Sequence, residues 1–397
     1  MFMALELSYV LITPYSLMKS RTGGIISRLL SRTGLELVGA QILAPTLEFS
    51  QRFASSISTQ LDDTDPFAAK LFSDYIMENF IPLEDGSPVR VMLLLFRGED
   101  ACKKLSETVG GLLPNAKHRQ AQDIIGETIR DTYADLVFNR DGSLNYFEPA
   151  VFTPSDKASS LAKLELIANF AENSSNIVEN SSNGKHTDKE RTLVLIKPEN
   201  WREPSTKPGS IIDMFSRTGL RIVGCKIHQM SIADALAFYA PVKENLRRDL
   251  APVIAEKAKK LLEENFGILL TEKSSGILQE TVGKPYADEE YKKIISFMSG
   301  SRPDDVPEEE YNLPGKVKCM VLVYEGKDAV KKIREMLGPT DPMKAPGGTI
   351  RREFGHDVMV NAAQASDSEE NFLRESSILE IGKNSLGRII REYLDKQ

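Results

Sequence analysis

Apolar residues recur along this chain in short blocks, and the blocks come round twice in the same order. Val10-Leu11-Ile12 and Leu193-Val194-Leu195-Ile196 are apolar runs that stop just before Pro14 and Pro198; runs of this length bounded by breakers predict strands. A glycine-led amphipathic stretch follows each, Gly24 to Leu35 and Gly209 to Leu220, and both close on Thr-Gly, a helix C-terminus signal. Next come a second strand through Val38-Gly39 or Val223-Gly224, a helical stretch, and an unbroken apolar run (Val91 to Phe96; Cys319 to Tyr324) that reads as a buried strand. A helix then opens at Asp100-Ala101-Cys102 or Asp328-Ala329-Val330. This β-α-β…β-α order predicts an α+β fold of two ferredoxin-like (split βαβ) modules with antiparallel sheets.

The repetition extends to residue identity. Ser31-Arg32-Thr33-Gly34-Leu35 matches Ser216-Arg217-Thr218-Gly219-Leu220, Gly98-Glu99-Asp100-Ala101 matches Gly326-Lys327-Asp328-Ala329, and Thr128-Ile129-Arg130 matches Thr349-Ile350-Arg351. Ordered matches of this kind mark an internal duplication. The expected organisation is a module over 1–170, a linker over 171–189 rich in Asn, Ser and Lys, and a module over 190–397 with a helical insertion at about 243–287. Within the insertion Leu250, Ile254, Ala258, Leu261, Leu262 and Phe266 recur at helical spacing; Leu386, Ile389, Ile390, Tyr393 and Leu394 predict a last helix.

With 397 residues, 41% apolar and 27% charged, the chain has an ordinary globular composition. A net charge of −7 argues against nucleic acid or an anionic membrane as main partner. No run approaches the roughly 18 apolar residues of a membrane span. The first apolar block lacks a basic leader, carries Glu6, and recurs inside the chain, so it reads as a strand rather than a signal peptide. Cys102, Cys225 and Cys319 share no CxxC spacing and sit in strand-like or helix-opening surroundings, which predicts buried free thiols in a reducing, cytoplasmic setting. Asn173-Ser174-Ser175 and Asn180-Ser181-Ser182 match a glycosylation pattern and read more simply as linker.

The second half carries a specific set: Ile196-Lys197-Pro198, then Tyr324-Glu325-Gly326-Lys327-Asp328-Ala329-Val330 with Arg334, Gly338, Thr340 and Pro342, then Gly348-Thr349-Ile350-Arg351, Asn361 and Ser366-Asp367-Ser368. It closely resembles the nucleoside diphosphate kinases over most of 190–397, and more faintly over 5–170. The resemblance implies a nucleoside di- or triphosphate as ligand, complexed with Mg²⁺; no metal-ligating residues are assigned. It also implies a homo-oligomer built through module–module contacts. Phosphoryl transfer needs concentrated positive charge around phosphate oxygens, and arginines grip phosphate bidentately. Lys197, Arg334, Thr340 and Arg351 correspond to the family's phosphate-binding positions, Asn361 to the amide that reads the ribose hydroxyl, and Tyr239 to the region where an aromatic stacks on the base.

The family relays phosphate through a histidine, which lets one site serve donor and acceptor in turn. Ungapped counting from Arg351 and Asn361 puts Gln364 at that carrier position, and a carboxamide nitrogen, its lone pair delocalised, accepts no phosphate. Ser366 and Glu375 match the residues that would orient the missing imidazole. His118, His186, His228 and His356 all lie elsewhere; the family pattern puts His356 within a strand. In the first half Thr13 stands where Lys197 does, Ser106 where Arg334 does and Leu112 where Thr340 does, and Arg130 alone of the phosphate set remains. That half reads as structural or regulatory. Two other functions stay open at this stage: a residual kinase or nucleotide hydrolase working without a histidine carrier, and a protein-interaction module that binds no nucleotide.

Overall fold

In the computed structural model of the chain, residues 5–61, 65–111, 126–179 and 189–397 are described. Strand β1 (Glu6–Ile12) is buried from Leu7 onward on both faces. Successive side chains alternate between faces, so Val10 and Ile12 enter one core while Tyr9 and Leu11 enter another. After β1 come helices α1 (Pro14–Met18) and α2 (Thr22–Thr33), strand β2 (Glu36–Leu43), and the hairpin of α3 (Leu47–Leu61) and α4 (Pro66–Asn79). Then follow β3 (Val91–Gly98), α5 (Ala101–Val109), α6 (Ile129–Tyr133), the small hairpin β4 (Asp135–Phe138) and β5 (Leu144–Glu148), β6 (Val151–Phe152) and α7 (Lys157–Glu172). The main sheet runs β2-β3-β1-β6. Helix α2 covers one face with Ile25, Ile26 and Leu29; α3, α4 and α7 cover the other with Phe49, Phe53, Phe72, Leu164 and Ile167.

The second half repeats the plan: β7 (Glu190–Ile196), α8 (Lys207–Ser216), β8 (Arg221–His228), then β9 (Cys319–Gly326), α13 (Ala329–Leu337), α14 (Ile350–Phe354), β10 (Ala363–Ala365), α15 (Glu369–Ile378) and α16 (Leu386–Leu394). Its sheet order, β10-β7-β9-β8, is that of the first. Two ferredoxin-like modules are therefore present, as the periodicity predicted. All three cysteines are buried and free.

Residues 1–227 and 320–397 form one unit, because the halves interlock. Helices α2 and α8 cross where glycine meets glycine: a Cβ on Gly23 would lie 2.5 Å from the Gly209 carbonyl oxygen, and one on Gly209 would collide with the Gly23 carbonyl and with Ser27. Strands β2 and β8, each at the edge of its sheet, are tied by Asn384, whose Nδ2 donates to the carbonyls of Ala40 (2.9 Å) and Cys225 (3.3 Å) and to Asn176 Oδ1 (3.0 Å). The stretch expected as a linker is itself pinned: Val178 N donates to Val223 O at 2.8 Å. Residues 180–188, with His186, lie outside the described residues, as do Leu112 and His118. Helix α16 turns back to the first half, where Leu386 and Ile390 join the core of Tyr9, Phe49 and Ile167.

The second unit, His228–Cys319, is helical and wider than the insertion expected at 243–287. It comprises α9 (Ile232–Phe238), α10 (Ala240–Phe266), α11 (Glu272–Leu278) and α12 (Lys284–Ser299). Helix α10 forms as the spacing predicts, but the apolar stripe read from the sequence is not its buried face. Ala251 and Ala255 are buried, where Gly283 packs so closely that a Cβ on it would strike Ala251; Leu261 and Phe266 are exposed. Small residues permit that close approach, and large ones at the helix end are left outside.

Candidate functional site

The site in the second half starts from a strained turn. Ala362, just before β10, has φ 71°, a left-handed conformation that costs a residue with a Cβ about 1–2 kcal/mol. Surrounding bonds hold it. Its N–H donates to Glu199 Oε1 (2.9 Å), and its carbonyl accepts from Lys197 N (3.0 Å) and Asn200 Nδ2 (2.8 Å). The turn delivers Asn361 to the end of β7, where Lys197 follows the last strand residue. Lys197 Nζ donates to Asn361 Oδ1 at 3.0 Å and to the Met359 carbonyl. Asn361 Nδ2 in turn donates to the carbonyls of Thr340 (3.1 Å) and Val358 (3.0 Å).

Arg351, in the first turn of α14, reaches the same place from the other side. Its Nη1 donates to Gly338 O (3.0 Å) and its Nη2 to Ala363 O (3.3 Å), tying the C-terminus of α13 to β10. Gly338 has φ 81°, and a Cβ there would press on Thr349 Oγ1 at 2.8 Å, so the position favours glycine. Burial holds the Lys197 ammonium down to about 8; Arg351 pushes the same way while Glu199 and Asp357 oppose it. Lys197, Asn361 and the Thr340 carbonyl are thus joined by hydrogen bonds, and Arg351 braces the same turn through the Ala363 carbonyl. Arg334 is exposed on the last turn of α13, where its carbonyl accepts from Gly338 N at 3.0 Å. Tyr239 must be corrected: it sits between α9 and α10 in the helical unit, 4% exposed, with its ring centroid 5.0 Å from that of Phe238. A ring so buried has no open face for a base.

Beyond the turn, Gln364 is half-buried in β10 and faces Leu195 of β7. The Ser366 hydroxyl donates to Glu375 Oε2 at 2.6 Å, both residues being buried. Burial raises the Glu375 carboxyl above its ordinary value, against the pull of Ser366 and Arg374. His356 stands in an irregular exposed stretch between α14 and β10, not in a strand, with Nδ1 3.6 Å from Asp357.

The first half supplies a comparison that the sequence did not reveal past Arg130. Ala150, like Ala362, has positive φ, at 64°. From it the two halves align without a gap, so Phe152 takes the place of Gln364 and faces Leu11 of β1. Asp156 and Ser368 then match as N-caps of α7 and α15, which sets Pro154 against Ser366 and Lys163 against Glu375. Arg130 repeats the Arg351 contacts, donating to Gly110 O (2.7 Å), Val151 O (3.1 Å) and Pro149 O (3.4 Å). The shared role of the two arginines is bracing. Where Lys197 stands in the second half, Thr13 Oγ1 donates to Glu148 Oε1 at 2.7 Å, and Tyr75 closes on Glu148 Oε2 at 2.6 Å. The Phe152 ring lies 5.2 Å from Phe72 and 5.7 Å from Phe80, so packed aromatics fill the region. Phe152 and Lys163 escaped notice because neither resembles what it replaces; the N-cap Asp156 was the available signal.

The nucleoside diphosphate kinase family model matches residues 308–380, the stretch that carries Arg334 to Glu375. A nucleoside diphosphate kinase of Helicobacter pylori (strain Shi470) is 31% identical over 187 residues, which are 47% of this chain and 92% of that protein. One from Fervidobacterium nodosum is 30% identical over 208 residues, 52% of this chain and 97% of that protein. The chain belongs to the nucleoside diphosphate kinase family. The crystal structure of the Aquifex aeolicus nucleoside diphosphate kinase is 25% identical, covering 48% of this chain and 94% of its own, at a TM-score of 0.30. Among the described residues no helix is long and apolar enough to cross a membrane.

Proposed function

We propose that this member of the family binds a nucleoside di- or triphosphate in its second module and has lost the phosphohistidine relay. The observation that carries the reading is the convergence of Lys197, Arg351 and Asn361 around the Ala362 turn, with Arg351 and Asn361 inside the stretch that the family model matches. Two cations set against each other under partial burial favour an anion that neutralises them. Arg334, exposed beside Gly338, adds a third cation on the solvent side. Magnesium suits this site only as the nucleotide's own counter-ion. The clustered side chains are cationic or amide, and the metal would supply charge to the phosphates rather than draw ligands from the protein. Homo-oligomers through module contacts and a cytoplasmic setting belong to the same reading.

The relay is lost because Gln364 occupies the carrier place and Phe152 its counterpart. An amide nitrogen is not a nucleophile at phosphorus, and a phenyl ring offers none. Given γ-labelled ATP, the chain forms no acid-labile, base-stable phosphoamino acid. Stoichiometric label of that kind would overturn this part of the reading.

A further inference from the structure

A cavity of about 260 Å³ lies where the two modules meet, and none of the residues of the Ala362 turn lines it. Its walls include Leu17 and Arg90 from the first half, and Ile212, Ser216, Arg221 and Tyr324 from the second. The volume falls just under the roughly 300–1,000 Å³ of pockets for drug-sized ligands, so an occupant would be small.

The charges in the wall are out of balance. Arg90 Nη1 donates to the Ile222 carbonyl, a neutral group. The nearest carboxylate, the fully buried Glu325, is already shared between Arg191 at 2.8 Å and Arg221 at 3.2 Å. Burial lowers the Arg90 guanidinium to about 10, with Arg221 pushing the same way and Glu325 opposing. An arginine presents five N–H donors in a planar fork, far more than one carbonyl uses. Tyr324 adds a hydroxyl that is buried without a hydrogen-bond partner among the described residues; such a group is destabilising until something pairs with it. Leu17, Ile212 and Leu220 add apolar surface to the wall.

We infer that this cavity binds a small organic oxyanion, a carboxylate or phosphate on a compact apolar body, gripped by Arg90 and Arg221 across the module junction. The inference is independent of nucleotide binding by the second module. Because each half contributes one of the two arginines, an occupant braces the halves against each other. A ligand that binds only the folded chain also raises its resistance to unfolding.

The test is calorimetric titration of the full chain with benzoate, phenyl phosphate and inorganic phosphate, repeated on Ser216→Phe and Arg221→Gln. The expected result is one site per chain for benzoate or phenyl phosphate, with inorganic phosphate at least about tenfold weaker for want of an apolar body. Which of the first two binds tighter identifies the acid group. Ser216→Phe fills the space while leaving both arginines, and it should abolish binding; Arg221→Gln should weaken it by at least about tenfold, the loss of one charge-assisted bond. Arg221→Lys, which keeps the charge, replaces Arg221→Gln should the latter not fold. Three results overturn the inference: no binding of any probe, undiminished binding to Ser216→Phe, or displacement of the bound probe by excess ADP, which would place it in the nucleotide site.

Discussion

Phe152 faces Leu11 in the first sheet as Gln364 faces Leu195 in the second, and each stands two residues past an alanine at positive φ, Ala150 at 64° and Ala362 at 71°. The backbone that presents this position is therefore common to both halves, while the side chains around it have diverged in opposite ways. Around Phe152 the first half is closed with aromatic rings and the Thr13–Glu148–Tyr75 bonds. Around Gln364 the second half keeps a half-buried amide beside Lys197, Arg351 and Asn361.

The matched arginines give the first prediction. Arg130 donates to three backbone carbonyls in the half where no nucleotide is expected, so its work is structural. Arg130→Ala should cost about 1.5–3 kcal/mol of stability, the range for lost hydrogen bonds to a charged group, and leave nucleotide affinity unchanged. Denaturant midpoints and a nucleotide titration on the same preparation check both halves of the statement. A variant as stable as the parent would mean that the bracing is redundant.

The buried pair Ser366–Glu375 sets a pH dependence. Burial raises the Glu375 carboxyl, so just above the ordinary carboxylate range the folded chain holds a proton that the unfolded chain has released. Stability from this group is complete below the unfolded value, about 4.3, and falls as pH rises through the folded one. Glu375→Gln keeps an acceptor for the Ser366 hydroxyl and has no charge to bury. Its stability relative to the parent should therefore improve from pH 4 to pH 7. A parent that gains on the variant over that range contradicts the burial argument.

Much of this was legible in the sequence. Strict repetition of apolar blocks pointed to both sheets; the first Thr-Gly marks the C-cap of α2 at Gly34 (φ 63°), while the second lies just past α8, which ends at Ser216, with Gly219 at φ 70°. Lys197, Thr340, Arg351 and Asn361 were named from motif order and do come together. What escaped was long-range packing. Nothing local says that Leu386 and Ile390 leave the second half for the core of the first, or that the buried face of α10 is built on Ala251 and Ala255. Tyr239 failed for the same reason: an aromatic at a plausible place was buried by helices whose packing its spacing does not encode. The bracing contacts of Arg351 were equally hidden, since the sequence shows a cation and not the carbonyls that surround it.

Lys197 gives a prediction on nucleotide affinity. Burial brings its ammonium down to about 8, and a bound phosphate would raise it again. Affinity should hold steady below about pH 8 and weaken as pH rises past it, because only the protonated lysine pairs with phosphate. Binding near that pH should also take up a proton, which calorimetry in buffers of different ionisation enthalpy reads directly. Affinity that is flat from pH 7 to 9.5, with no proton uptake, would remove Lys197 from the phosphate site.

The central claim is that one half of this chain binds nucleotide and the other does not. It is tested most directly by titrating the full chain with ADP in excess Mg²⁺, alongside Arg334→Ala. Arg334 is the candidate cation best suited to the comparison: it is exposed at the end of α13, so its removal should spare the fold, unlike that of Arg351. The expected result is one nucleotide per chain, bound at least about tenfold more weakly by Arg334→Ala, as for the loss of a charge-assisted bond to phosphate. Two nucleotides per chain, none at all, or an affinity indifferent to Arg334 would contradict it.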